Sequence, residues 1–356
     1  VSIEQLLPRY SNLDRGGMLK RVLTYFADLE DAAQRYKDTR LEREIPDPLH
    51  GVIVTGMGGS FIGALFLQDL LYDSWRTPIL ALREITLPAF ADKRHLLVAV
   101  SYSGNTEETI RVLVEARRRG IPVVAVTSGG LMAELAEKLS YQLVRLPSGL
   151  APRAAFPYMV TALAAILDAL DPSLRLVDSI KRSSLNLAQC GSDMQRHALE
   201  LADWMLNNYG ANRLPIIYAY RPYLSAGYRF KTQINENAKL HAFFSEIPES
   251  NHNEIMGWES PSNLFTVVIR AEEPPHMLHR MEFLLDLWSK RGIPYREVKP
   301  LGGSRLEKLL SLFFTLDLTS VLLALKRGVD PTPVETISQL KKYLDSRINI
   351  RSSLDL

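Results

Sequence analysis

The sequence is short of the residues that most directly announce a function. It has one cysteine, Cys190, in 356 residues, which excludes an intrachain disulfide and a cysteine-based metal cluster and leads us to expect a reducing, cytoplasmic setting. Cys190 itself reads as a small buried hydrophobe. Lys and Arg number 42 against 40 Asp and Glu, a net charge of +2, and with no helix-turn-helix signature or basic arm there is no case for nucleic acid. Long apolar runs are scarce as well. Phe156–Leu170 and Leu309–Leu325 are too short, or too interrupted by Asp168 and Asp317, to span a bilayer, and they read as buried core helices. No secretion signal is expected, because Val1–Lys20 mixes Glu4, Arg9, Asp14, Arg15 and Lys20 with its apolar residues. The expectation is a soluble protein with no membrane partner.

What is present begins with two loops. Residues 51–63 read G-V-I-V-T-G-M-G-G-S-F-I-G and residues 97–109 read L-V-A-V-S-Y-S-G-N-T-E-E-T. Each is an apolar β-type run that breaks into small residues at the start of a helix, where backbone amides and the helix dipole can hold a phosphate. Ser101, Ser103 and Thr106 add hydroxyl donors, and Ser60 follows Gly56, Gly58 and Gly59. A P-loop needs a lysine where Ser60 and Phe61 stand, so ATP is disfavoured. The dinucleotide fingerprint is matched at Gly56 and Gly58 but has Phe61 for its third glycine. Glu84 is placed to serve as a ribose carboxylate, yet the second loop argues against NAD. Two such loops in one domain point to a phosphorylated metabolite.

With 46% hydrophobic and 23% charged residues, the chain is long enough for two ordinary domains. An amphipathic helical segment near Met18–Arg35 precedes strands near 51–55, 79–83, 96–101, 122–127 and 142–146, the pattern of a parallel sheet covered by helices. Gly104-Asn105 starts a helix with Glu107, Glu108 and Glu115 early and Arg117, Arg118 and Arg119 late, as the macrodipole favours. Pro147–Pro157 reads as a linker. Strands near 215–220, 264–269 and 294–298 then make a degenerate second copy without the glycine and hydroxyl cluster. The expected division is 1–150, with the phosphate loops, and 151–356, with the catalytic carboxylate and a C-terminal helix. The fold class is α/β, two tandem domains that are each a mainly parallel sheet flanked by helices.

Tyr228–Glu254 holds the densest run of ionisable and amide side chains. Glu236 and His252 are its candidate acid/base pair, a carboxylate beside apolar residues and an imidazole that titrates near neutrality; an exposed helix glutamate and a loop histidine are the alternative. Arg153 lies in the proline-rich linker, from which it could reach the cleft at the carboxyl ends of the strands. Lys341 and Lys342 lie in a C-terminal helix. A carboxylate base, an imidazole, a fixed cation and a phosphate cradle together describe a sugar-phosphate aldose–ketose isomerase.

The runs G-M-G-G-S (56–60), S-Y-S-G-N-T-E-E-T (101–109), A-P-R (151–153), N-E-N-A-K (235–239), N-H-N-E (251–254) and D-P-T-P-V (330–334) resemble, in order, the bifunctional phosphoglucose/phosphomannose isomerases. The resemblance covers about residues 50–345. It implies two tandem sugar isomerase (SIS) domains, a homodimer with shared sites, a sugar-phosphate substrate, and neither metal nor organic cofactor. It implies that Gly59, Ser60, Ser101, Ser103 and Thr106 hold the phosphate, that Glu236 moves the proton between C1 and C2, and that Arg153 stabilises the enediolate. It further implies that His252 of the partner subunit acts in ring opening, assisted by Lys341, which completes an I-x-x-L-K pattern ahead of Lys342. Thr332 corresponds to the hydroxyl residue that leaves room for rotation about C2–C3. Phe61 and Ala64 depart from the glycines usual there, and Phe61 is expected to pack into the core. A non-catalytic sugar-phosphate-binding SIS protein and an amino-sugar phosphate isomerase are the competing readings.

Overall fold

Five short apolar runs become β1 (Gly51–Thr55), β2 (Ile79–Leu82), β3 (His95–Val100), β4 (Val123–Thr127) and β5 (Gln142–Arg145), all parallel, in the order β2-β1-β3-β4-β5. The computed structural model describes residues 3–42 and 45–347, so both ends of the expected division lie outside the described residues. Strands β1, β3 and β4 are buried along their whole length, which is why they read as unbroken hydrophobic runs; parallel strands are covered on both faces.

Three helices come first: α1 (Ile3–Tyr10), α2 (Met18–Leu23) and α3 (Tyr25–Tyr36). The single helix expected near 18–35 is thus split at Thr24, whose hydroxyl donates to the Arg21 carbonyl at 2.9 Å and so competes with the helical pattern. Asp14 starts α2 by accepting from the Met18 and Leu19 amides, both at 2.8 Å. The first sheet is accompanied by α4 (Gly59–Leu71), α5 (Glu107–Arg118), α6 (Gly130–Lys138) and α7 (Phe156–Leu170).

The chain forms two compact units, residues 27–182 with 333–356 and residues 1–26 with 183–332. This differs from a break near 150, and the reason lies in α7. Its Phe156 meets Phe66 of α4 edge-on at 5.5 Å, and Gly63 of α4 leaves the space that Leu163 fills, where a Cβ would come within 2.8 Å. The proline-rich segment is therefore internal to the first unit.

The second unit is built on β6 (Leu214–Tyr220), β7 (Phe243–Ile247), β8 (Leu264–Ile269) and β9 (Tyr295–Val298), parallel in the order β7-β6-β8-β9. Edge strand β7 is an addition to the three strands the sequence suggests. Its Phe243 is half exposed and Glu246 faces solvent, so its hydrophobic pattern is weak. Helix α8 (Leu176–Ala188) crosses the division, and α9 (Gly191–Gly210), α10 (Leu224–Gln233), α11 (Pro275–Lys290) and α12 (Arg305–Lys326) follow, with α13 (Glu335–Asp345) assigned to the first unit. At 22 residues, α12 is longer than expected and apolar enough to cross a bilayer, but 94% of its most apolar window is buried inside the fold. It starts with a reciprocal cap between Ser304 and Glu307.

Asp317 sits in the middle of that helix with its side chain 5% exposed. Arg229 of α10 donates to both its oxygens, at 2.8 and 2.7 Å, and Gln233 donates to one at 2.9 Å. Such a bidentate pair is strong, yet each ion is costly if left alone. Asp317→Asn leaves the Arg229 guanidinium without its counter-charge and is expected to lower the unfolding free energy by about 3–5 kcal/mol. Urea unfolding followed by circular dichroism checks this; an unchanged midpoint would show that the pair does not hold the unit together.

Candidate active site

In the first unit, the loops after β1, β3 and β4 interlock at the carboxyl edge of the sheet. Gly56 lies so close to β3 that a Cβ would come within 3.0 Å of the Val100 carbonyl. Ser60 is buried, and its hydroxyl accepts the Tyr102 amide at 3.2 Å, tying the first loop to the second. Within the second loop, Ser101 Oγ accepts the Gly104 amide at 3.1 Å and lies 2.8 Å from Thr106 Oγ1. Ser103 is exposed and its hydroxyl accepts the Asn105 amide at 3.3 Å. Thr106 is the N-cap residue of α5 but its side chain caps no amide there, which leaves the helix end suited to an anion.

The third loop, Thr127–Gly130, carried no signal beyond its two glycines. Ser128 Oγ donates to the Tyr102 carbonyl at 2.6 Å, and Asn105 Oδ1 accepts the Leu131 amide at 3.0 Å. Gly104, at φ 69°, is pressed against the Gly129 carbonyl, 1.7 Å from where a Cβ would lie. Only glycine fits there, by dihedral and by space. Tyr102 also reaches the proline-rich segment, its hydroxyl donating to the Pro147 carbonyl at 2.9 Å and accepting the Leu150 amide at 2.8 Å. That strap brings Arg153, 3% exposed, onto the first loop: a Cβ on Gly59 would lie 3.1 Å from the Pro152 carbonyl oxygen and 3.3 Å from Arg153 Cα. Gly59, Ser60, Ser101, Ser103, Thr106 and Arg153 therefore gather in one unit. Phe61 is 5% exposed, with the Arg83 guanidinium 5.4 Å from its ring centre, so its ring packs inward beside the loop. Lys341 and Lys342 are both exposed on α13.

The second sheet treats its carboxyl edge differently. The loop after β8, which corresponds by topology to Ser101–Thr106, reads R-A-E-E-P. Arg270 binds Glu273 through Nε at 2.7 Å and Nη2 at 3.0 Å and reaches Glu297 at 3.0 Å. Glu273, 4% exposed, also accepts the Ala271 amide at 3.0 Å. A side-chain carboxylate thus occupies the loop that in the first sheet offers hydroxyls.

Glu236 lies at the other end of this second sheet. Helix α10 passes into a π-helical turn, Ile234–Ala238, stopped by Lys239 at φ 53°. Such turns are rare and often functional. Around Glu236, Asn235 donates to the Leu240 carbonyl and Asn237 to Ser320 Oγ, each at 2.8 Å, while Arg327 donates to the Ala238 carbonyl. The next residues are held at the amino edge, where Tyr209, at the end of α9, donates to the His241 carbonyl at 2.9 Å.

His252 follows β7 at its carboxyl end, exposed at the end of a 3-10 turn, Glu249–His252. Two residues on, Glu254 accepts from Tyr218 of β6 and, at 2.7 Å, from Ser245 of β7. Burial first, and the bond to Glu254 second, hold the Tyr218 hydroxyl well above the ordinary tyrosine range, so it stays a donor. Trp258 is buried against Trp288, ring centres 6.0 Å apart. Glu254 and Trp258 pin the segment; His252 is left on the surface. Glu236 thus precedes β7 and His252 follows it, with five residues of strand, roughly 16 Å, between them. The two members of the acid/base pair suggested by their closeness in sequence thus stand on either side of an extended strand. Thr332 sits against Gly16, where a Cβ would come within 2.3 Å of its hydroxyl.

Two family models match, the SIS domain over residues 50–165 and the bacterial phospho-glucose isomerase C-terminal SIS domain over residues 194–344. A bifunctional phosphoglucose/phosphomannose isomerase from Caldicellulosiruptor bescii is 34% identical over 82% of this chain and 89% of its own. The chain belongs to this SIS-domain isomerase family. A D-glucosamine-6-phosphate 4-epimerase from Sulfolobus acidocaldarius is 31% identical over 86% of this chain and 94% of its own. The C-terminal domain of glucosamine-fructose-6-phosphate aminotransferase from Francisella tularensis superposes with a TM-score of 0.65 at 14% identity, over 89% of this chain and 98% of that one, a likeness of fold. The two family models fall on the two sheets. Among the described residues, no cluster of three or more His, Cys, Asp or Glu is placed to hold a metal ion.

Gly59→Ala tests the contact between strap and loop. The added methyl must push the Pro152–Arg153 backbone outward, and a cost of about 1–3 kcal/mol in stability is expected together with weaker binding of fructose 6-phosphate. Calorimetric titration and thermal unfolding check both; wild-type values for each would mean that the strap yields freely.

Proposed function

We propose that this protein interconverts glucose 6-phosphate and mannose 6-phosphate with fructose 6-phosphate through a cis-enediol, in a cytoplasmic setting. The observation that carries the reading is the first unit's carboxyl edge, where three interlocked loops gather small residues and hydroxyls suited to a phosphate monoester and the buried Arg153 lies against the first of them. In this reading Gly59, Ser60, Ser101, Ser103 and Thr106 hold the phosphate. Ring opening comes first, assisted by His252 of a second copy and by Lys341. Glu236 then takes the C2 proton of the aldose and returns it to C1, while the hydroxyl proton of O2 is exchanged for one on O1. The carbonyl moves from C1 to C2 and the formula is unchanged, so neither an electron carrier nor a metal is required by the balance. Arg153 offsets the negative charge on the enediolate oxygens, and Thr332 leaves room for rotation about C2–C3, which brings the mannose epimer within reach of the same base.

Glu236→Gln is expected to lower turnover of all three sugars by about a hundredfold or more and to leave calorimetric affinity for fructose 6-phosphate within about twofold, since phosphate affinity resides in the other unit. In deuterated water the active protein should place deuterium at C2 of the aldoses and C1 of the ketose. Near-normal turnover in the variant would remove Glu236 from the base role. The epimerase relative supports a second reading, tested in the same tubes: inversion at C4 of glucosamine 6-phosphate without C2 exchange in the hexose phosphates would replace the isomerase assignment.

The separation of Glu236 from His252 across β7 favours a homodimer in which each site takes one residue from each chain. Mixing Glu236→Gln with His252→Ala should then restore activity, because a mixed dimer has one site with both defects and one with neither. Random reassortment makes half the dimers mixed, so recovery should approach roughly a quarter of wild type. Rates no higher than the average of the two separate variants would exclude sharing.

A further inference from the structure

Lys239 ends the N-E-N-A-K run but has no part in the mechanism above. Its ammonium donates to the carbonyls of Glu236 at 2.6 Å, Pro331 at 3.0 Å and Asn237 at 3.4 Å. An ammonium has three N–H donors, and here three main-chain carbonyls receive them. The residue is also the left-handed stop of the π-helical turn, at φ 53°, a conformation that a non-glycine residue seldom adopts unless something repays its cost. The geometry repays it, since only this reversal turns the side chain back onto the turn it has just ended. Pro331 lies one residue before Thr332, whose own amide donates to Asp330 at 3.0 Å and whose hydroxyl side is seated on Gly16. One cation therefore joins the carbonyl of Glu236 to the segment that carries Thr332.

We propose that Lys239 is a positioning residue that fixes the Glu236 carboxylate relative to the 331–332 segment, and that this spacing sets how the enzyme divides its turnover between the two C2 epimers. The inference rests on Glu236 being the base. The proposal gives Lys239 no contact with the sugar: its ammonium acts through the main-chain carbonyls of Glu236, Asn237 and Pro331. The phosphate loops belong to the other unit, so substrate affinity should be largely independent of it, whereas proton transfer depends on sub-ångström placement of the carboxylate.

The test compares Lys239→Met and Lys239→Arg with wild type in kcat and KM for glucose 6-phosphate and mannose 6-phosphate, together with thermal unfolding. Lys239→Met is expected to lower kcat by about tenfold, to change KM by less than about twofold, and to change the ratio of the two kcat values by about threefold or more. Lys239→Arg, which keeps a cation for the carbonyls, should recover part of the lost kcat. If Lys239→Met retains the wild-type epimer ratio, whether or not its melting temperature falls, the inference is overturned and the lysine only stabilises the turn. A Glu236→Gln variant assayed alongside separates the two claims. Should it keep turnover, the base assignment fails; should it be inactive while Lys239→Met keeps the wild-type ratio, only the positioning role fails.

Discussion

The buried pair between Arg229 and Asp317 is the constraint from which the placement of Glu236 follows. A carboxylate in the middle of an apolar 22-residue helix would be untenable alone. It is satisfied by two donors from Arg229 and one from Gln233, both on α10, which locks α10 to α12 in one register. The π-helical turn continues directly from Gln233, so a fixed α10 fixes where the turn begins. Asn237 against Ser320, three residues beyond Asp317, continues the same contact along α12. A charge that costs stability if unpaired thus serves to set register, the best-attested use of a buried ion pair.

The two sheets share a strand order, β2-β1-β3-β4 matching β7-β6-β8-β9, and furnish their carboxyl edges differently. In the first, the small-residue and hydroxyl loops lie at the carboxyl ends of the strands, where open α/β sheets usually bind their ligands. In the second sheet that edge is filled by Arg270 and Glu273, an internal pair in place of a cradle of small hydroxyls, and Glu236, the base of the proposed reaction, precedes β7 at the amino edge. Searching the second half for a copy of the first loops therefore finds nothing, although the strand order is the same.

Much of this was legible in sequence, and the misses have physical causes. Strands buried on both faces, such as Gly51–Thr55 and His95–Val100, are apolar throughout and stand out. Strand β7 does not, because an edge strand with Phe243 half exposed and Glu246 outward has neither a continuous run nor a clean alternation. The linker was misplaced because prolines mark an irregular segment but do not say whether anything holds it; here Tyr102 does, through its hydroxyl. The small-residue loops were readable from composition, whereas the partners that shape them, Ser128 and Asn105 among them, act through backbone contacts that leave little trace in spacing. Glu236 and His252 looked paired because they are sixteen positions apart, and an extended strand converts that closeness into separation.

That separation bears on how such a family can change its chemistry. In the proposed reaction the phosphate loops and the carboxylate belong to different units, and the turn that carries Glu236 is held by a handful of contacts from Asn235, Asn237, Lys239 and Arg327. On the proposed mechanism, affinity for a 6-phosphate and the choice of carbon are governed by different residues. A relative named for a change at C4 and another named for glucose and mannose isomerisation can share about a third of their residues with this chain, because the common grip says nothing about which carbon meets the base. On the proposed mechanism, what distinguishes them lies in the elements that place the carboxylate and in the residues brought beside it, and a π-helical turn is well suited to such change. One residue more or less in that turn rotates the following side chains by about 100° without disturbing the packed helix before it.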